Sequence, residues 1–226
     1  IKNLESQFKS LTLIGGAVFT GLAAAMYKSI SAAGEAEQVV AQLNSVLEST
    51  GGIAGITAQK AIDLAKGFQE ISTFGDEAIL SAENLLLTFT NIKSDVFPDA
   101  LRSVLDMSVA LGQDLKSSAI QVGKALQDPI LGVSALRRVG INFTEQQQDM
   151  IKTMVETGRV MEAQKFILKE LATEFGGSAR NQANTFIGKM TQIKELFGDI
   201  QEAIGNAFIE SDKMNIFLGQ VVDFMR

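Results

Sequence analysis

The chain has 226 residues and a formal net charge of −6, and 46% of its residues are hydrophobic. This composition permits a sizeable buried core and excludes a disordered polar tail. The chain contains no Cys and no His, which excludes disulfides, thiol nucleophiles, His-dependent catalytic triads and most zinc sites. The acidic balance argues against a nucleic-acid-binding face, and no phosphate-loop or metal motif occurs. We therefore expect no enzymatic activity and no catalytic residue, cofactor or metal.

The N-terminal residues 1–34 are predicted to form an apolar, Gly/Ala-rich helical arm. Residues 11–27 carry no charge, and their length reaches the lower edge of what spans a bilayer. A buried helix that packs closely on a neighbour and a membrane-inserting segment both fit this pattern. A heptad-like seam precedes and enters the segment, and it comprises Leu4, Phe8, Leu11, Val18 and Leu22. Because the sequence starts at Ile1 rather than Met, we expect a fragment of a longer protein.

Residues 35–177 are predicted to form a compact domain of short helices. The chain contains several helix-stop and helix-start signals, and the apolar run at 85–89 is expected near the centre of the domain. Strand-like alternation is absent, so the predicted fold is all-α, with this domain between two longer, coiled-coil-like arms. The boundary signals are the GGIAG break at 51–55, a capping Thr57, a turn at 72–77, Pro98 in a first helical turn, and Gly112.

The stretch LQDPILGVSALRRVGINFTEQQ, residues 126–147, contains the densest series of boundary signals. Asp128 followed by Pro129 predicts a helix start, because Asp accepts hydrogen bonds from free amides and Pro suits the first helical position. Gly132 permits the close approach of another backbone, or it simply weakens the helix by ~1 kcal/mol relative to Ala. Leu136 belongs to the apolar face of this helix of roughly two turns.

The second half of the same stretch predicts that this helix stops and another begins. Arg137 and Arg138 are compatible with an anion clamp. Cations in a last helical turn are also stabilised by the helix macrodipole, by ~0.3–1 kcal/mol each, and we favour this structural interpretation. Gly140 suits the left-handed residue that ends a helix, and Thr144 with Gln147 matches a capping box. We therefore interpret the stretch as a corner between helices.

The C-terminal arm, residues 178–226, has the clearest periodicity. Its apolar residues recur at spacings of three and four, which is typical of a coiled-coil seam, on a helix expected from about Ser178 to Ile209. Core packing is the ordinary role of such Phe and Met residues, and an oligomeric coil is the alternative. The seam comprises Phe186, Met190, Ile193, Phe197, Ile200, Ile204 and Phe208.

The pattern D-P-x-x-G-x-x-A-L-R-R-V-G-I-x-F-T-E-x-Q from Asp128 to Gln147 resembles a segment of the tail tape-measure proteins of long-tailed bacteriophages and prophages. Residues 108–129, GGIAGITAQ at 51–59 and the helical sequence at 185–208 are similar to that family as well. The resemblance covers most of residues 35–210. The corner pattern is its most specific part.

This resemblance implies a structural virion protein. Tape-measure proteins are long, mostly helical chains that lie in a few copies in the lumen of the tail tube, set its length during assembly and leave it when DNA is ejected. The implied partners are the tail tube protein, tail assembly chaperones, tail-tip proteins and further copies of the chain, which is made in the host cytoplasm. No family catalytic residue carries over, and no specific nucleic-acid binding is expected. The alternative function is assistance of DNA delivery by insertion of residues 11–27 into the host membrane.

Overall fold

The computed structural model describes residues 28–29 and 31–209, and within these residues the protein consists of helices and connecting turns, without a β-strand. The expected all-α class is confirmed. The N-terminal seam and the uncharged segment 11–27 lie outside the described residues. The helices are α1 (31–49), α2 (Ala58–Gln69), α3 (Asp76–Leu87), α4 (Phe97–Leu111), α5 (Leu115–Gln127), α6 (Pro129–Leu136), a 3-10 turn (Arg137–Val139), α7 (Glu145–Glu156), α8 (Val160–Phe175), α9 (Ser178–Ala183) and α10 (Phe186–Ile209).

Side-chain caps fix the beginnings of α2 and α5. The hydroxyl of Thr57 accepts a hydrogen bond from the Lys60 amide at 3.2 Å, as the sequence predicts. The Asp114 carboxylate accepts bonds from the hydroxyl of Ser117 at 2.7 Å and from its amide at 2.9 Å. These two bonds hold the pKa of Asp114 below its usual value, and they satisfy amide groups that have no partner within the helix.

Proline and glycine mark the other predicted boundaries. Pro98 occupies the first turn of α4, where its missing N–H costs no helical hydrogen bond. Gly112 ends α4 in the left-handed conformation with φ of 63°, which a side chain would make costly. The link between α1 and α2 turns through three glycines with positive φ, Gly51, Gly52 and Gly55. The predicted break at 51–55 is therefore a glycine-dependent turn.

The core lies where α3, α4 and α5 meet. α5 packs against α3, α4 and α6, and α4 also packs against α8 and α9. Phe97 and Leu101 of α4 are fully buried there with Leu86 and Leu126. Burial of one such side chain stabilises the fold by ~1.5–3 kcal/mol. The apolar run at 85–89 contributes to this core as expected, although α3 ends within it at Leu87.

Two compact units are distinguished within the chain. Residues Gln38–Glu195 form one unit, which contains the whole of the core just described. The second unit includes the described residues before 38 and those from Leu196 onward. Within this second unit, Gly205 of α10 lies directly against the backbone oxygen of Ser29, where a Cβ atom would collide with that oxygen. A side chain at this position is therefore incompatible with the close approach of the two segments.

The expectation of one continuous helix from Ser178 to Ile209 is wrong. The chain forms α9, breaks at Asn184 and Thr185, and restarts as α10. The Thr185 hydroxyl accepts a hydrogen bond from the Gly188 amide at 2.9 Å, which is the geometry of a helix start. Gly188 also lies against the backbone of Gln182, which leaves no room for a Cβ atom. A capping threonine and a packed glycine therefore override the helical periodicity of this region.

Candidate functional site

The corner at residues 128–147 begins with the predicted cap. The Asp128 carboxylate accepts a hydrogen bond from the Leu131 amide at 3.1 Å, and Pro129 is the first residue of α6. Asp128 itself has extended backbone angles, φ −135° and ψ 92°, which end α5 immediately before α6 begins. One residue therefore ends one helix and caps the next, which makes the turn between α5 and α6 sharp.

Gly132 decides how closely α6 packs on α5. A Cβ atom at this position would overlap the backbone of Ala125, so only glycine allows the observed contact. Val133 and Leu136 are buried on the same side of α6. Of the two interpretations of Gly132 that the sequence leaves open, the structure supports the close approach of another backbone.

The corner ends in a 3-10 turn and a capping box. Arg137 and Arg138 form the turn with their side chains exposed, and Gly140 follows with φ of 95°. The Thr144 hydroxyl accepts a bond from the Gln147 amide at 3.2 Å, while the Gln147 side chain accepts one from the Thr144 amide at 2.8 Å. These two bonds form the predicted box and start α7.

Two polar residues that the sequence does not point to hold the end of α5, directly before the corner. Gln164 of α8 is buried, and its side-chain amide donates hydrogen bonds of 2.9 Å to the backbone oxygens of Leu126 and Asn91. The Asn91 side chain donates in turn to the backbone oxygen of Gln127 at 2.8 Å. Asp128, Gly132, Thr144 and Gln147 are therefore engaged in capping and packing.

The exposed surface of α10 is the feature best suited to function. Six residues of the predicted seam are exposed, from 81% for Phe186 to 45% for Ile204. The expectation that they pack in the core is wrong for these six, and the side chain of Phe208 lies outside the described residues. At 100° per residue, the six exposed members of the seam from Phe186 to Ile204 occupy a sector of about 80° and extend about 27 Å along the helix. The α10 face denotes its six described members, Phe186, Met190, Ile193, Phe197, Ile200 and Ile204.

The surroundings of the α10 face enlarge its apolar area. Ile187 and Leu196 lie beside it and are 77% and 58% exposed. The cations Lys189 and Lys194 flank the N-terminal half of the face and are exposed too. Exposed apolar surface of this extent is uncommon on a folded protein and is typical of surfaces that bind another macromolecule. The arrangement can therefore bury an apolar helix or sheet surface of a binding partner.

A buried carboxyl group lies elsewhere in the unit Gln38–Glu195. Glu83 of α3 is fully buried, and neither of its carboxyl oxygens has a hydrogen-bond partner among the residues that the structure describes. Burial raises the pKa of Glu83 to about 9, because a carboxylate is poorly solvated in an apolar interior. Glu83 is four residues from both Ile79 and Leu87, so all three residues lie on one face of α3. This spacing is the pattern in the sequence that places a glutamate on an apolar helix face.

The described part of the chain contains no group of three or more acidic side chains placed to hold a metal ion. Its helices also include none with the length and apolar character needed to cross a bilayer. Two clefts beside α4 share no residue with the corner or the α10 face.

Residues 2–152 match the family described as prophage tail length tape measure protein. No curated protein and no solved structure matches the chain significantly. The matched region includes the corner and ends within α7, so α8, α9 and the α10 face lie beyond it.

Proposed function

The chain belongs to the prophage tail length tape measure family, and from this premise we propose that it forms part of the helical scaffold around which the tail tube assembles. The observation that carries the proposal is the family match, which extends over about two thirds of the chain. The family is one of structural phage tail proteins and is not known for enzymatic activity. In this proposal the chain lies in the lumen of the tail, contributes to tail length and leaves the tube when DNA is ejected.

The length that the chain contributes to the tail depends on whether its helices are extended or folded. A continuous helix rises ~1.5 Å per residue, so its length is proportional to the number of residues. The unit Gln38–Glu195 instead folds into short helices around one core. A compact unit of this size has a diameter of about 40 Å, whereas the same residues would extend about 240 Å as one helix. The contribution of this unit to tail length therefore depends on whether it remains folded in the tube.

The α10 face provides a surface for assembly. We assign it to contact with further copies of the chain, since a seam spaced by three and four residues is the pattern by which helices pack side by side. Tail components in general are the partners of this family. The tube protein, the tail assembly chaperones and the tail-tip proteins are the specific partners that we propose, with synthesis in the host cytoplasm.

Membrane action remains the alternative proposal and is based on the uncharged residues 11–27. If this segment inserts during DNA delivery, the chain will bind liposomes, and replacing Val18 and Leu22 with Asp will abolish binding. Liposome association that survives both substitutions would show that another segment is responsible.

Tail length in assembled particles tests the main proposal. We expect an in-frame deletion of residues 38–195 to shorten tails, by about 40 Å if the unit is folded in the tube or about 240 Å if it is extended. A tandem duplication of the same residues should lengthen tails by the same amount, and the full-length chain supplied in trans should restore wild-type length. Tails measured by electron microscopy that do not change in either variant would contradict a ruler role for this unit.

A further inference from the structure

A small cavity lies where the end of α2 meets α4 and α9. Its volume is about 160 Å³, which is of the order needed for one aliphatic or aromatic side chain. Its apolar lining is provided by Phe68, Ile71, Leu105 and Ala179. These four residues give the cavity the character of a pocket for one apolar side chain.

Two arginines line the same cavity. Arg102 and Arg180 are both exposed, and neither forms an ion pair within 4 Å among the described residues. The guanidinium carbon of Arg102 lies 5.8 Å from the centroid of the Phe68 ring, which keeps this charge above the apolar wall. A guanidinium group presents several donors in a planar fork that matches a carboxylate. The cavity therefore combines an apolar pocket with two cations that have no carboxylate within 4 Å among the described residues.

The carboxylate that lines the cavity is already engaged. The two oxygens of Asp106 accept hydrogen bonds from the backbone amides of Gly177 at 3.1 Å and Ala179 at 2.9 Å. Asp106 is largely buried, and its role is to hold the α8–α9 connection against α4. Its charge is therefore directed at these amides, and the two arginines remain available to an external anion.

The cavity adjoins a larger cleft between α4 and α8. The cleft has a volume of about 560 Å³, and Arg102, Asp106 and Gly177 line both spaces. Lys165 and Lys169 of α8 line the cleft opposite Asp95 and Asp99, and no ion pair within 4 Å joins any of these four to a described residue. The cavity and the cleft together form one continuous groove. Because this groove extends beyond the cavity, an extended segment of another chain can lie along it.

We propose that this groove binds an extended segment of a partner protein that carries an Asp or Glu beside an apolar residue. The apolar side chain fills the cavity, and the carboxylate accepts hydrogen bonds from Arg102 and Arg180. We take the partner protein to be another tail component, and this identification rests on the proposed function. Binding of the segment itself rests on the groove alone.

Fluorescence anisotropy with the purified full chain tests this inference. The probes are two labelled, end-blocked hexapeptides, one with a central glutamate–leucine pair and the other with glutamine in place of the glutamate. We expect the glutamate peptide to bind at least about tenfold more tightly, which corresponds to one charge-assisted contact of ~1.4 kcal/mol. The preference should decrease as the salt concentration rises, because exposed ion pairs are screened.

Charge-neutralising variants identify the groove as the site. R102Q combined with R180Q should abolish the preference for glutamate, whereas R137Q combined with R138Q removes two exposed cations elsewhere and should preserve it. Circular dichroism verifies that both variants remain folded. Equal affinity for the two peptides, no saturable binding of either one, or an unchanged preference in the R102Q/R180Q variant would overturn the inference. Tail length plays no part in this measurement, so its outcome and that of the deletion experiment can be distinguished.

Discussion

At the scale of single residues, Glu83 has the least favourable environment for its side chain in the described core. It is fully buried without a hydrogen-bond partner, and the oxygen of the neighbouring Asn84 side chain also has none. The Asn84 amide group donates to the backbone oxygen of Val39 at 3.2 Å, which connects α3 to α1. A carboxyl group in this position remains protonated at neutral pH, since its pKa is raised to about 9. Glu83 therefore reduces the stability of the core that surrounds it.

Glu83→Gln should make stability less dependent on pH. Between the unfolded-state pKa of 4.5 and the folded-state pKa of about 9, the unfolded chain releases this proton while the folded chain keeps it, so stability falls as pH rises through this window. At ~1.4 kcal/mol per pH unit, the cost at pH 7 is roughly 3 kcal/mol. Urea denaturation should show an advantage of the variant that grows from about pH 5 to about pH 8.

The control for this prediction is Glu174→Gln, which removes an exposed carboxylate of α8. Its effect on the free energy of unfolding should be small, because surface substitutions away from buried features usually change stability by less than ~0.5 kcal/mol. A difference between wild type and the Glu83→Gln variant that stays constant with pH would show that Glu83 does not ionise on unfolding.

Gly132→Ala should destabilise the fold although alanine is the better helix former. The added Cβ would overlap the Ala125 backbone, which cannot move without separating α6 from α5, and such overpacking costs ~1–3 kcal/mol. Gly67→Ala is the matched control, since Gly67 lies within α2 with open space around it, and it should gain up to ~1 kcal/mol. Chemical denaturation that gives both variants the same sign of change would contradict the close approach as the reason for Gly132.

At the scale of helices, local signals could be predicted and tertiary contacts could not. The caps at Thr57, Asp128 and Thr144 depend on side chains within three residues of the amides that they bind, so the sequence contains the whole interaction. The burial of Gln164 depends on carbonyl groups 38 and 73 residues away. The break before α10 is local instead, since Thr185 caps the Gly188 amide three residues later and Gly188 lies against Gln182 six residues earlier, but the regular apolar spacing of the region concealed it. Apolar periodicity predicts that one side of a helix such as α10 is apolar, but it does not show whether the same chain or another molecule packs against that side.

The α10 face should drive self-association of the chain. We expect Phe197→Ser combined with Ile200→Ser to weaken association by at least about tenfold, since each large apolar side chain contributes ~1.5–3 kcal/mol when it is buried. Both residues are more than half exposed in the single chain, so the substitutions should leave its fold intact. Sedimentation velocity over a range of protein concentrations measures the effect.

Leu131→Ser provides the control for association. Leu131 is 69% exposed on α6, so the substitution removes a comparably exposed apolar side chain outside the α10 face. It should leave the association constant unchanged. A wild-type chain that remains monomeric at all concentrations, or a loss of association in the Leu131 variant alone, would contradict the assignment of the α10 face.

At the scale of the whole molecule, the family match and the folded unit have different limits. The match ends at residue 152, inside α7, whereas the unit Gln38–Glu195 extends through α8 and α9. The core cluster continues into α8 with Ala163, Ile167 and Leu171, and Ala179 of α9 is buried in it as well. The division expected from sequence, with a compact domain at 35–177 and a C-terminal arm from 178, stays a prediction.

Truncated chains test whether the protein folds with its C-terminal end at residue 152, where the family match ends, or only with the residues up to 195. Residues 38–195 contain every member of the core cluster, so this fragment should unfold cooperatively with a midpoint temperature near that of the full chain. A fragment of residues 38–152 lacks α8 and the Gln164 amide that binds the Leu126 and Asn91 oxygens. We expect it to keep helical circular dichroism signal but lose the cooperative transition, because its remaining core faces water. A cooperative 38–152 fragment would instead show that the matched region folds alone, with α8 and α9 as additions to it.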